Sequence, residues 1–413
     1  MAHTGRVPSI LPDGDPVPAD GSLPSQAFDG MQSRSLSFYV HVPFCTSRCG
    51  YCDYNTYTAG ELGTSGTSAS AGWLAAVLAE IDLAASVLGG DRRVSTVFVG
   101  GGTPSLIGAG PLTIVLQRVR DRFGLTPDVE VTTEANPEST DRSLLDDLLT
   151  AGFNRISLGL QSTAEHVLRV LERQHTPGLA FAVVELARSA GFEHLSLDLI
   201  YGTPGERTED FARSLAAVVA SGVDHVSAYS LIVEPGTRLA RQVKSGELPM
   251  PDDDVLADRY LQAEKALSGA GFAWYEVSNW ARSEQARCRH NLAYWTSGDW
   301  WGVGPGAHSH VGGVRWWNVK HPARYAAALA QGRSPGHGRE VLTVAARTVE
   351  DILLRLRLVE GLPLEALSPQ ARREVNQAAD EGLLDLDALT DDRAVLTLNG
   401  RLLADGLAVR FLD

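Results

Sequence analysis

Two spacings of apolar residues take turns along this chain. Short apolar or β-branched runs at 36–42, 94–99, 129–133, 155–158, 195–200 and 225–230 read as strands. Between them, apolar residues three and four apart predict helices over 73–88, 112–123, 143–151, 164–169, 179–190 and 210–219. Six strands separated by helices imply a parallel sheet with right-handed crossovers. Such regular alternation favours an α/β fold built as a partial (β/α)6 barrel of the TIM type over residues 35–250. A doubly wound open sheet is the structural alternative.

The flanks read differently. Residues 1–34 are rich in Pro, Gly, Asp and Ser without periodicity, which predicts a disordered leader, and the Gly/Ser/Thr-rich stretch 60–72 predicts a flexible connection. After a further amphipathic helix at 254–270, seven of the eight tryptophans fall between Trp274 and Trp317. Residues 251–320 are therefore expected as a tryptophan-rich segment packed on the barrel, or as a face for a second copy of the chain in a homodimer. From 321 to 413 the pattern is mainly helical, with a strand-like 394–398 and a turn at Asn399-Gly400. That predicts a small C-terminal domain of winged-helix type.

Composition narrows the function classes. With 413 residues, 44% hydrophobic and 21% charged, the chain can bury a large core, and its net charge of −14 opposes general affinity for nucleic acid or anionic membranes. No run approaches the ~20 continuous apolar residues of a membrane span. The start, MAHTGRVPSILPDG, has neither a basic region nor an apolar core, so a cytoplasmic protein is expected.

Chemistry concentrates after the first strand, in SFYVHVPFCTSRCGYCDYNTY at 37–57. Cys45, Cys49 and Cys52 form C-x3-C-x2-C, a spacing that can wrap three corners of a [4Fe–4S] cluster and leave the fourth iron open. A zinc site completed by His41 or Cys288 is the simpler alternative. Polar residues recur where later strands end: Gly100-Gly101-Gly102-Thr103-Pro104, Glu134 in EANP, Gln161 in LGLQS, and Asp198 in SLDLIYG, with Arg173 between the fourth and fifth strands. The glycine run lacks the GKS/GKT ending of a phosphate loop and the G-x-G-x-x-G of a dinucleotide fold. It suits the ammonium and carboxylate edge of an amino acid, with Glu134 and Asp198 accepting from ribose hydroxyls and Arg173 meeting a carboxylate.

These motifs in this order resemble the radical S-adenosylmethionine superfamily, in its coproporphyrinogen III oxidase-like branch, over about residues 36–400. The resemblance implies a [4Fe–4S] cluster on Cys45, Cys49 and Cys52 whose open iron chelates S-adenosylmethionine, and an electron from the cluster that yields a 5′-deoxyadenosyl radical. It implies Tyr39 and Tyr51 beside cluster and adenine, Gly101, Gly102 and Thr103 at the methionine end, and Glu134, Gln161, Arg173 and Asp198 around the rest. Two features depart from the dehydrogenases of that branch. Asp53-Tyr54 follows Cys52 where their motif continues to a fourth cysteine, and CRHNLAYW at 288–295 resembles the HNxxYW signature of the superfamily's heme chaperones.

In those chaperones the histidine is implicated in heme binding, which would make His290 an iron ligand with Asn291, Tyr294 and Trp295 beside it. Tyr294 and Trp295 could flank a porphyrin, Arg287 and Arg289 could meet propionates, and the glycines of GVGPGAHSH at 302–310 would let backbone approach a flat ligand. The plain alternative is a hydrogen-bonded core histidine. The expected function is heme chaperoning, with heme, an acceptor protein and, if the cluster is redox-active, an electron donor as partners. Oxygen-independent coproporphyrinogen III dehydrogenation and a non-catalytic zinc-stabilised barrel are the alternatives.

Overall fold

Apolar runs of this kind need cover on both faces, and the folded chain provides it. The computed structural model describes residues 14–62, 66–174 and 176–412. Six strands, β1 (Leu36–Val42), β2 (Val94–Gly101), β3 (Leu125–Ala135), β4 (Arg155–Gln161), β5 (His194–Tyr201) and β6 (His225–Ser230), each pair in parallel with the next. Helices Gly66–Leu88, Ala109–Phe123, Arg142–Ala151, Leu179–Ala190 and Thr208–Ala220 carry the chain back between them. The predicted partial barrel is present.

The tryptophan-rich segment is part of the sheet rather than a layer on it. β7 (Ala273–Glu276) and β8 (Asn279–Ala281) join the β6 edge antiparallel. β9 (Asp299–Val303) joins the β1 edge in parallel, followed antiparallel by β10 (His308–Val311), β11 (Val314–Asn318) and β12 (Gly336–Val341). One open sheet of twelve strands results among the described residues. The helix Arg289–Trp295 lies between the two edge groups in sequence and meets β2 inside the barrel. Burial drives this: Trp280 and Trp301 are 0% and 2% exposed.

Several expectations change. Residues 14–34 are not a free leader: Asp15 pairs with Arg339, Ala27 is fully buried, and Arg34 reaches the buried Asp299 at 2.8 Å. The rest of that predicted leader lies outside the described residues. The predicted flexible stretch 60–72 is helical wherever it is described. Within Gly66–Leu88, residues 69–88 are long and apolar enough to cross a membrane. Here Trp73, Val77, Ile81 and Ala84 face the barrel core, which explains the apolar composition.

The C-terminal body starts later than predicted. Helix Pro322–Ala330 and β12 belong to the main sheet layer, where Tyr325 is buried, and a separate apolar cluster runs from Ile352 to Phe411. In place of a strand at 394–398, a two-residue strand Arg393–Ala394 pairs with Leu362–Pro363, and Asn399-Gly400 lies inside helix Leu398–Leu402. Thr397 caps that helix by accepting from the Gly400 N–H at 3.2 Å, so the capping residue outweighed the turn signal.

Candidate functional site

Period-two alternation sends every second residue of the parallel strands into the barrel. In most β/α barrels these positions are branched aliphatics that fill the interior. Here they are Thr132 and Glu134 on β3, Arg155, Ser157 and Gly159 on β4, Ser196 and Asp198 on β5, and Ser227 on β6. The lumen is polar and open, a cavity of about 400 Å³ running from the three cysteines to His290.

The cysteine loop closes the C-terminal mouth and is tied down at four places. Tyr57 N–H donates to the Pro43 carbonyl at 2.7 Å, and Cys45 N–H to Tyr57 at 3.1 Å. Gly50 donates to Leu171 and accepts from Leu239 N–H. Gly102 and Thr103 donate to Val42 and Phe44, each at 2.7 Å. Asn55 Nδ2 donates to the carbonyls of Pro305 and Lys320 at 2.9 and 2.8 Å, while its own carbonyl meets His41 Nε2 at 2.9 Å. The three thiols are half-buried and lie around the cavity mouth. Burial pushes Cys52 up to about 11 and raises Cys45. Arg173 Nη1 lies 3.5 Å from Cys49 Sγ.

Below the mouth, two buried carboxyls face the lumen. Burial pushes Glu134 up to about 8, reinforced by Asp198 and opposed by the Gly101 N–H at 3.0 Å. Asp198 is pushed up to about 6 by burial, against hydrogen bonds from Ser227 and Ser157 and the charge of Arg173. Gln161 holds a left-handed backbone at φ 60°, rare for a residue with a side chain and a form of strain that gathers at ligand sites.

The floor is the helix Arg289–Trp295. Glu130 on β3 accepts from the backbone N–H of Arg289 and His290 at 3.0 and 2.9 Å, satisfying the helix N-terminus. Arg155 balances that carboxylate at 3.3 Å and donates to the Ala286 and Arg287 carbonyls. His290 is 1% exposed, with Thr96 at Nδ1 and Tyr294 at Nε2.

The radical SAM superfamily profile matches residues 39–218. The chain is 54% identical to a heme chaperone HemW of Mycobacterium tuberculosis over 91% of its length and 95% of that protein. The chain belongs to the HemW family of radical SAM proteins. It is also 35% identical to heme chaperone HemW of Escherichia coli, over 79% of this chain and 84% of that protein. Its fold matches the Escherichia coli coproporphyrinogen III oxidase HemN with a TM-score of 0.77 at 26% identity, covering 92% and 90% of the two chains.

A radical SAM fold of the HemW family implies a [4Fe–4S] cluster and S-adenosylmethionine, and the residues fit both. Cys45, Cys49 and Cys52 would hold three irons. The buried carboxyls Glu134 and Asp198 can accept from the ribose hydroxyls of S-adenosylmethionine, and Arg173 suits its carboxylate. The zinc alternative loses its fourth ligand, because His41 is bound between Tyr39 and Asn55 and Cys288 sits on the floor beside Glu130.

Tyr39, Tyr51, Gly101, Gly102, Thr103, Asn291 and Tyr294 line the cavity, whereas Trp295 does not. Arg287 and Arg289 pair with Glu360 and Asp128 and do not line the cavity. Of the glycines of 302–310, Gly306 serves the cysteine loop: a Cβ there would lie 2.7 Å from Asn55 Nδ2, whereas Gly302 packs on the His308 carbonyl and Gly304 on that of His41. Sequence reading missed Asn55, Glu130, Arg155 and Thr96. Glu130, Arg155 and Thr96 did carry a signal, a polar side chain on the inward parity of a strand.

Proposed function

We propose that this protein binds heme and passes it to an acceptor protein, with a [4Fe–4S] cluster on Cys45, Cys49 and Cys52 and S-adenosylmethionine in the barrel lumen. The observation that carries this reading is identity of 54% with a heme chaperone over nearly the whole chain. The HNLAYW segment on the lumen floor supports it, and His290 is the candidate iron ligand. When bound, the cluster and S-adenosylmethionine would supply one-electron chemistry. The chain's own part is to hold the cluster loop rigidly, accept from the ribose hydroxyls through Glu134 and Asp198, and present an imidazole. Three closely spaced thiols of this kind suit the reducing cytoplasm.

The likeness to HemN keeps a dehydrogenase as the second reading. Against it stands Tyr54, 60% exposed at the cavity mouth where that enzyme's motif would continue to a fourth cysteine. One preparation tests both: anaerobically loaded protein titrated with heme, then supplied with coproporphyrinogen III. A Soret band with heme transfer to apo-acceptor and no vinyl product is expected. Sustained vinyl product would replace the chaperone reading with the dehydrogenase.

A further inference from the structure

One residue at the cavity mouth holds a backbone conformation that its side chain disfavours. The short helix Glu165–Val170 ends with the Glu172 N–H donating to the Arg169 carbonyl at 3.2 Å and the Arg173 N–H donating to that of Leu168 at 2.9 Å. This pair of bonds turns the chain through a left-handed residue just past the helix, a place usually taken by glycine. Here it is Glu172, at φ 54°. A side chain strains the backbone there, and strain of this kind gathers where a site needs the conformation.

The Glu172 carboxylate is caught between two elements. Arg238, at the start of helix Arg238–Lys244, meets it at 2.8 Å, and the next residue, Leu239, donates its N–H to the Gly50 carbonyl of the cysteine loop at 2.8 Å. Gly50 packs so closely that a Cβ on it would lie 3.2 Å from the Glu172 carboxyl carbon. Directly after Glu172 the chain turns Arg173 into the lumen. Its Nη1 lies 3.5 Å from Cys49 Sγ, and its Nη2 would be 2.8 Å from a Cβ on Gly159. We propose that Glu172 is the positioning residue for Arg173: its carboxylate, pinned by Arg238 against Gly50, holds the left-handed turn that aims the guanidinium at the carboxylate of S-adenosylmethionine. This rests on the reading of the lumen as an S-adenosylmethionine site. Glycine could make the same turn, but nothing would pin it.

Stability and binding should therefore part company. Glu172→Gly relieves the strained backbone and gives up an ion pair whose cation is 62% exposed, and such pairs contribute little. Its melting midpoint should stay level or rise. Arg173 would then be aimed for only part of the time, and if that part is about a tenth, affinity for S-adenosylmethionine falls about tenfold. Arg238→Ala removes the pin without touching the turn. It should weaken binding in the same direction at an unchanged melting midpoint.

The parent, both single variants and the double variant are loaded with the cluster anaerobically as full-length chains, matched for iron content and titrated with S-adenosylmethionine by calorimetry. Melting midpoints are read on the same chains before loading. The double variant should lose no more affinity than Glu172→Gly alone, because both changes remove the same pin. Unchanged affinity in Glu172→Gly overturns the proposal, and so do losses that multiply in the double variant. A purely structural role would lower melting midpoint and affinity together in Glu172→Gly and leave Arg238→Ala binding like the parent. A parent that holds its cluster but takes no S-adenosylmethionine removes the cofactor reading underneath, whereas a parent and variants that all bind equally well remove only the role of Glu172.

Discussion

Gly102 and Cys45 are packed so closely that a Cβ on Gly102 would stand 3.0 Å from the Cys45 sulfur and 2.5 Å from the neighbouring Phe44 carbonyl oxygen. The glycine run is therefore required by the cysteine loop before any ligand binds. Gly102→Ala must push the loop outward, since the nearest atom is backbone and cannot rotate away. We expect it to cost ~1–3 kcal/mol of stability and to lower iron loading, read as lost absorbance near ~400 nm after reconstitution. Full iron content would show that the loop yields without disturbing its thiols.

Asn55 joins the cysteine loop to the carbonyls of Pro305 and Lys320. Asn55→Ala removes both bonds and should destabilise by ~1–2 kcal/mol. The sharper readout is kinetic: a chelator should strip iron from the variant several times faster than from the parent, at equal starting occupancy. Equal stripping rates would mean that the other three ties suffice.

Arg155 is 1% exposed and neutralises Glu130 beneath the lumen. Arg155→Met leaves a buried carboxylate without its cation, so a loss of ~3–5 kcal/mol is expected by chemical denaturation. Glu130 also satisfies the backbone of His290, so the same variant should blur the heme titration. A variant as stable as the parent would show that the Arg289 and His290 N–H donors satisfy Glu130 without its cation.

Glu80 sits in helix Gly66–Leu88 and accepts from Tyr325, Asn318 and the Gly304 N–H at 2.5, 2.7 and 2.8 Å. Burial pushes it up to about 7 from 4.5 despite those donors. The folded state thus binds a proton that the unfolded chain releases earlier. The stability this contributes is fully present below about pH 4.5 and is lost as pH rises through about 7, a change on the order of 3 kcal/mol. Glu80→Gln should flatten that slope when unfolding is measured at pH 5 and pH 8. An identical slope in the variant would place the titration elsewhere, with Glu276 the next group to test, since it is also pushed up to about 7.

The strands of the barrel were legible because each is a short apolar run bounded by polar residues, and β1 and β6 match their predicted limits residue for residue. The cysteine spacing was legible because all three ligands lie on one loop. Residues 14–34 were not, because their order comes from pairing with Arg339 and burial of Ala27, contacts hundreds of residues away in sequence. Composition records what a segment can bury by itself, and not what distant strands offer it.

Sequence by itself determined the cluster motif, the β/α repeat and the family signatures, all of which depend on local spacing. Tertiary structure alone decided what the glycines and the histidine segment do. It set Gly102 and Gly306 against the cysteine loop, turned Arg287 and Arg289 to surface carboxylates, and brought Thr96 from β2 to within 2.7 Å of His290, 194 positions later. The physical reason is the inward parity of parallel strands. It gathers polar side chains from distant stretches into one lumen, where burial forces each to find a partner.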